Sequence, residues 1–358
     1  MTPEFRTSDF DYNLPPELIA QEPLPDRAGS RLLAVLRTSE PRDLAGPRID
    51  LGSAALVDSN FAELPRVIHP GDLLVLNTTR VRHARLLATR PSGARAEVLL
   101  IRPQPNGEWL AMGKPGNALR PGKRVSLGPG EEIDTVAVLE DGHRLVRFIG
   151  ITSDAAIARY GQLPLPPYIR RSPTELDEQR YQTVYAQREG SVAAPTAGLH
   201  FTPALLDQLA GAGVEIAGLE LEVGPGTFKP VETEDPTQHA MHVESYEIPE
   251  RLASAVERVR AESRQIWAVG TTVVRALESA ACQHGMVRPG AGETRLMITP
   301  GYRFRVVDRM LTNFHLPRST LLMLVSAFAG HQLIMAAYRH AIEQRYRFYS
   351  YGDAMLIL

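Results

Sequence analysis

Between Ala96 and Ile151 the grain of the chain changes, and that change limits the architectures open to it. Five short β-rich runs lie there: Glu97–Ile101, Trp109–Met112, Arg124–Leu127, Thr135–Leu139 and Leu145–Phe148. Pro105-Asn106-Gly107, Pro121-Gly122 and Asp141-Gly142 separate them. Short strands cut by Gly/Pro turns predict a small all-β unit, a barrel. Outside this stretch, apolar runs of strand length alternate with segments of helical period, the pattern of an α/β domain with helices on both sheet faces. A chain of 358 residues has room for about two domains. The expected class is α/β: a three-layer α/β sandwich main domain with a small all-β barrel domain inserted. The barrel is placed at 81–158, between a first part at 1–80 and a remainder at 159–358 that carries the active site.

Within the main domain, Arg27–Leu36, Asp72–Leu76, Val192–Ala194, Val214–Val223, Ile266–Val269, Val306–Met310 and Tyr346–Tyr349 read as strands. Leu252, Ala255, Val256 and Val259 fall on one helical face, and a second helix is predicted over Val273–Ala281. Thr202 followed by Pro203 is a strong helix start, and Ser319 or Thr320 caps another helix. Ser39–Asn60, rich in Pro, Gly, Ser and charge, reads as a surface excursion. Leu321–Tyr338 is interrupted by Gly330, His331 and Gln332, which fits a buried helix rather than a membrane span. Met1–Asp11 is polar, and the single cysteine, Cys282, rules out a disulfide framework and fits a reducing compartment. The expected location is cytoplasmic.

Polar signatures stand at four strand ends: Thr196–His200, Gly224–Thr227, Gly270–Thr272 and Asn313–His315. In an open α/β sheet, ligands sit outside the carboxyl ends of the strands, where such loops meet. Helix N-termini there offer backbone N–H groups to a carboxylate or phosphate. A shared small-molecule site is the expectation, with cap or packing roles for residues such as His200 as the alternative. His239, His242 and Glu244 invite a metal reading, but no H-E-x-x-H helix is present. No metal is expected, and His242 with Glu244 reads better as an acid/base pair.

The net charge of −2 gives no bulk signal for nucleic acid. Locally, however, seven arginines between Arg66 and Arg102 face only Asp72 and Glu97. That excess is either a solvated basic face or a phosphate contact, with Arg82 and Arg85 as probes. Leu221-Glu222-Val223-Gly224-Pro225-Gly226-Thr227 looks like the first motif of S-adenosylmethionine-dependent methyltransferases. That motif should open a helix, and Pro230 argues against one here. An S-adenosylmethionine-dependent RNA methyltransferase remains the alternative function.

Several runs carry a resemblance that spans nearly the whole chain: Asp9-Phe10-Asp11-Tyr12, Ser30-Arg31-Leu32-Leu33, Gly71–Val75, Pro164–Ile169, Tyr181–Ala186, Ala193–Thr202, Val269–Thr272, Thr312–Val325 and Tyr346–Met355. In these the chain resembles the S-adenosylmethionine:tRNA ribosyltransferase-isomerase family of queuosine biosynthesis. The resemblance implies transfer and isomerisation of the ribosyl part of S-adenosylmethionine onto 7-aminomethyl-7-deazaguanine in tRNA. The product is epoxyqueuosine, with adenine and methionine released. It implies no cofactor beyond S-adenosylmethionine as substrate, no membrane, a tRNA anticodon loop as partner, and a monomer.

The candidates for acid/base roles are His200, His242, Glu244 and His315. The candidates for substrate binding are Asn77, Arg80, Tyr185, Thr196, Glu222, Gly224, Gly226, Thr271, Thr272, Arg275, Asn313 and Asp353. For Arg80 and Arg275, exposed surface arginine is the alternative. The chain departs from the family pattern at Glu222, where histidine is usual, and at Thr78, where Asp or Asn is common. A divergent tRNA-binding relative with altered substrate is a further alternative. On their strand, Glu220 and Glu222 face away from Leu219, Leu221 and Val223, about 7 Å apart. Glu222 is expected beside the substrate's sulfonium, or else solvated or arginine-paired.

Overall fold

Leu73-Leu74-Val75-Leu76 lies fully buried at the middle of a nine-stranded sheet, and its alternating side chains supply two cores. The computed structural model describes residues 5–37, 55–228, 230–282 and 284–358. The sheet order is Gly290–Thr294, Glu244–Ile248, Glu215–Leu221, Leu73–Asn77, Ile266–Val269, Arg309–Asn313, Ala354–Ile357, Arg31–Val35 and Leu56–Asn60. Glu215–Leu221, Leu73–Asn77, Ile266–Val269 and Arg309–Asn313 run parallel. Ala354–Ile357 runs against Arg309–Asn313 and alongside Arg31–Val35. Their carboxyl ends therefore share one edge with the amino ends of Ala354–Ile357 and Arg31–Val35.

Leu73, Val75, Ile266, Ala268, Met310, Met355 and Ile357 pack in one core with the helices Glu250–Ala261, Thr271–Ala280, Thr320–Ala329 and His331–Glu343. Leu74, Leu76, Trp267, Val269, Leu311 and Leu356 point the other way, onto Phe61, Leu64, Phe201, Leu205 and Leu209. The helix Pro203–Gly211 in that second core begins as its sequence predicts: Thr202 Oγ1 accepts from Leu205 N at 3.1 Å. Such a cap is worth about 1 kcal/mol. The molecule is thus mixed α/β with large sheets.

The second sheet holds Arg85–Thr89, Arg95–Pro103, Trp109–Lys114, Arg144–Ile149, Glu131–Val138 and Arg124–Gly128 in spatial order, with Gly161–Gln162 beside the first. Thr89 pairs with Ser126, joining the first of these strands to the last. Ala84, Leu86, Val98, Leu100, Ala111, Val125, Ile133 and Val146 fill its interior.

Several local expectations are corrected. Leu56–Asn60 is an edge strand paired with Arg31–Val35, not a surface excursion; residues 39–54 of that segment lie outside the described residues. The strand near Val192 is Glu189–Ser191, and Thr196–His200 is a turn of 3₁₀ helix. Tyr346–Tyr349 is no strand: Tyr346 and Phe348 are wedged into the core, and only Phe348 forms a bridge, to Ile19. Backbone at φ 55° for Arg345 and 72° for Tyr349 breaks the extended run on both sides. The strand is instead Ala354–Ile357, and Val306–Met310 shifts to Arg309–Asn313. Leu321–Tyr338 is two helices bent by 115° at Gly330, and among the described residues no single helix is long and apolar enough to cross a membrane.

Candidate active site

The shared edge of the parallel strands carries a small cavity of about 50 Å³ and, beside it, a cleft of about 740 Å³. Thr196, Thr227, Thr271, Thr272, Asn313 and His315 line the small cavity, so all four polar junctions reach it. Gly270 makes the turn from Ile266–Val269 into the helix Thr271–Ala280 with φ 92°, a region that favours glycine. Among the described residues no side chain caps that helix start, which leaves its first N–H groups to the cavity.

Asn313 and His200 form the polar centre behind this wall. Asn313 Nδ2 lies 3.1 Å from the carbonyl of Tyr349 and 3.5 Å from that of Asp353, which fixes its amide orientation. It then donates to His200 Nε2 at 3.1 Å, and His200 Nδ1–H donates to Ser30 Oγ at 2.9 Å. Burial, helped by Arg27, Arg180 and Arg347, pushes the His200 imidazole down to about 3. Burial alone does the same to His315, also to about 3; its Nε2 sits 2.9 Å from Thr312 Oγ1. Both rings are neutral at neutral pH. They act there as fixed hydrogen-bonding groups.

The larger cleft lies between the second sheet and the Gly224–Thr227 turn. Glu222, Gly224, Gly226 and His242 line it, with Arg102 and Gly190. Glu222 is half-buried, and among the described residues its carboxylate has no hydrogen-bond or ion-pair partner. Burial raises its carboxyl, against the lowering pull of Arg82, Arg102 and Arg188. A Cβ on Gly190 would come within 2.7 Å of Glu222 Oε1, so the absence of a side chain there makes room for the carboxylate. Glu220, its neighbour on the same face, is bound to Arg188 at 2.5 Å.

Other candidates lie away from both spaces. Arg275 and Glu244 face each other as a buried ion pair, and Glu244 Oε1 accepts from Gly224 N at 3.4 Å. Asn77 splices two strands, donating to Leu221 O at 3.0 Å and accepting from Leu221 N at 3.1 Å; it also reaches Thr272 Oγ1 at 3.4 Å. Asp353 accepts from the backbone of Arg31 and of Arg347, Arg80 donates to Ala186 O at 3.0 Å, and among the described residues the Tyr185 hydroxyl has no hydrogen-bond partner. Of the arginine run, Arg85 pairs with Glu97 at 2.7 Å and Arg66 with Glu63 at 2.6 Å, while Arg82 lies 5.1 Å over the Trp109 ring. Sequence reasoning gave no site role to Arg27, Ser30, Arg180 or Arg347, although Ser30 and Arg347 fall within runs that carry the resemblance.

The family model described as queuosine biosynthesis protein matches residues 7–357. The chain belongs to this family. Among relatives in the queuosine biosynthesis family, the S-adenosylmethionine:tRNA ribosyltransferase-isomerase of Symbiobacterium thermophilum is 52% identical over 358 residues, covering 99% of this chain and 100% of that protein. The enzyme of the same name from Thermus thermophilus is 51% identical over 357 residues, covering 98% of each. A solved structure, S-adenosylmethionine tRNA ribosyltransferase from Thermotoga maritima, aligns with a TM-score of 0.55 at 35% identity, covering 98% of this chain and 100% of that one. The Gly224–Thr227 turn runs through a short 3₁₀ segment, Pro225–Phe228, and not into the helix a methyltransferase motif should open.

The unpartnered Glu222 makes a direct prediction. Glu222→Gln should weaken binding of S-adenosylmethionine more than binding of an uncharged thioether analogue of similar shape, because only the first carries a sulfonium for the carboxylate to attract. Calorimetric titration of both ligands reads the difference. Equal losses would mean that Glu222 does not read the charge.

Proposed function

We propose that this chain transfers and isomerises the ribosyl part of S-adenosylmethionine onto 7-aminomethyl-7-deazaguanine in tRNA, forming epoxyqueuosine and releasing adenine and methionine. The observation that carries the reading is identity of 52% over 99% of the chain with a relative of that named activity. In this reading the main unit, 1–80 with 159–358, is a three-layer α/β sandwich, and 81–158 is a small barrel. S-adenosylmethionine is substrate, no other cofactor takes part, and the protein works as a cytoplasmic monomer.

The geometry supports a division of labour. The sulfonium acidifies the neighbouring C5′ protons, so a base of ordinary strength suffices to assist in removing one. His200 and His315, pushed down to about 3, are too weakly basic for that role near neutral pH and instead orient Asn313 and the Thr312–Leu316 turn. His242, on the cleft wall with Glu222, is the acid/base candidate that the cleft exposes to a ligand. Glu222 stands by the sulfonium, and the helix start at Thr271–Thr272 receives an anionic or polar group of the substrate. Glu244 and Arg275 hold the Gly224 turn in place.

The reaction separates this reading from its rivals. Adenine should appear from S-adenosylmethionine only when tRNA carrying the aminomethyl-deazaguanine is supplied. A methyltransferase would release S-adenosylhomocysteine, and a non-catalytic tRNA-binding relative would release neither. Chromatography of the small-molecule products distinguishes the three, and S-adenosylhomocysteine among them would overturn the proposal.

A further inference from the structure

Arg27, Arg180 and Arg347 come from three distant parts of the chain and all act electrostatically on His200; Arg27 and Arg180 line a small cavity with it. Each guanidinium is half-buried, and each spends its hydrogen bonds on backbone carbonyls. Arg27 reaches Leu199 O at 3.1 Å and Gln179 O at 2.6 Å, Arg180 reaches Leu24 O at 2.5 Å and Pro25 O at 2.9 Å, and Arg347 reaches Glu22 O. Among the described residues none of the three has an ion pair. Among the described residues, Arg180 Nε and Arg347 Nη1 are buried donors with no hydrogen-bond partner.

The nearby carboxylates spend their hydrogen bonds elsewhere, and Asp26 and Asp353 act on the Arg180 and Arg347 guanidinium groups only through their charge. Asp353 accepts from the Arg31 and Arg347 backbone N–H groups. Asp177 is held by Arg171, Thr174 and the Tyr351 hydroxyl. Asp26 accepts from Ala28 N at 3.1 Å. Buried charges are ordinarily paired, and leaving them unpaired is costly. Burial accordingly pushes Arg27 down to about 10 and lowers Arg180 and Arg347. A cavity of about 20 Å³ opens here, lined by Arg27, Ser30, Arg180, His200 and Ser350; Ser350 also lines the small cavity at the strand ends.

We propose that Arg27, Arg180 and Arg347 form an oxyanion-binding site that takes a phosphate or carboxylate group next to the strand-end cavity. Guanidinium forks suit both groups. Two sources present that chemistry in the reaction proposed above, on which this choice of sources rests: an RNA phosphodiester and the methionine carboxylate of S-adenosylmethionine. The oxyanion supplies the missing counter-charge, and the unpartnered N–H groups supply its hydrogen bonds.

Calorimetric titration of the full chain with inorganic phosphate tests the site without requiring turnover. Saturable binding is expected, weakened tenfold or more in Arg180→Gln and in Arg347→Gln, with near-ultraviolet circular dichroism reporting that each variant is folded. Absence of saturable binding by the unaltered protein, or binding that survives both substitutions, overturns the proposal. The source is then read in Arg347→Gln. A tRNA salt slope reduced by about one contact assigns the phosphodiester. Loss of affinity for S-adenosylmethionine but not for its decarboxylated analogue assigns the carboxylate. A protein that binds phosphate yet releases no adenine refutes the proposed reaction and leaves this site standing.

Discussion

Arg275→Met will lower the free energy of unfolding by about 3–5 kcal/mol, the cost of stranding one member of a buried ion pair. Arg275 is 5% exposed and Glu244 is 6% exposed, so neither finds water when its partner is gone. The pair also connects three elements. Arg275 Nε donates to Leu296 O at 3.1 Å from the helix Thr271–Ala280, while Glu244 opens its own strand and accepts from Gly224 N. A second substitution, Glu244→Leu, in the same molecule should recover most of the loss, since an apolar pair of similar volume replaces the stranded carboxylate. Urea unfolding of the two single variants and the double variant forms the cycle. If the losses of the two single variants simply add in the double, the pair is not coupled and the argument fails.

The second large effect is a loss of stability in mild acid. His200 and His315 are held at about 3 when folded, against an ordinary value of about 6.5 in the unfolded chain. Between those values the unfolded state binds more protons than the folded one, so stability rises with pH across that window. The contribution is fully present above about 6.5 and is lost progressively as pH falls, by up to about 1.4 kcal/mol per pH unit for each histidine. Asp58 and Asp177, both held below the usual carboxylate range, add their own loss only as pH falls below about 4. His315→Asn should therefore flatten the stability–pH curve between pH 4 and 6 by about one proton's worth of slope. An unchanged slope would show that His315 is protonated in the folded protein.

What was readable in the sequence was local. The Thr202–Pro203 start depends on bonds within one turn, and the four polar junctions depend on where short apolar runs stop; each is visible in a handful of residues. The Gly/Pro-cut runs of 96–151 likewise declare themselves one by one. The strand Ala354–Ile357 was missed because its extended form comes from neighbours at Arg31–Val35 and Arg309–Asn313, while the aromatic Tyr346–Tyr349 offered a stronger β pattern. His200 reads from its loop as an acid/base candidate, yet it is buried. Its burial rests on Ser30 and Asn313, which lie 170 and 113 residues away. The Arg275–Glu244 pair escaped notice for the same reason: two polar residues read as exposed until their partnership is known.

The place of Ala354–Ile357 inside the sheet also governs the order in which the molecule can assemble. The bond from Arg31 N to Asp353 Oδ1 joins residues 322 apart in the chain. The hairpin Arg31–Val35 with Leu56–Asn60 must therefore keep one strand edge unpaired until nearly all of the chain is available. Such long-range pairing is slow, because loop-closure entropy is met before any contact rewards it. An open edge held that long invites pairing with other chains. Asp353 and the Asn313 amide find their partners only at that closing step, so a nascent chain gains its competence for catalysis last.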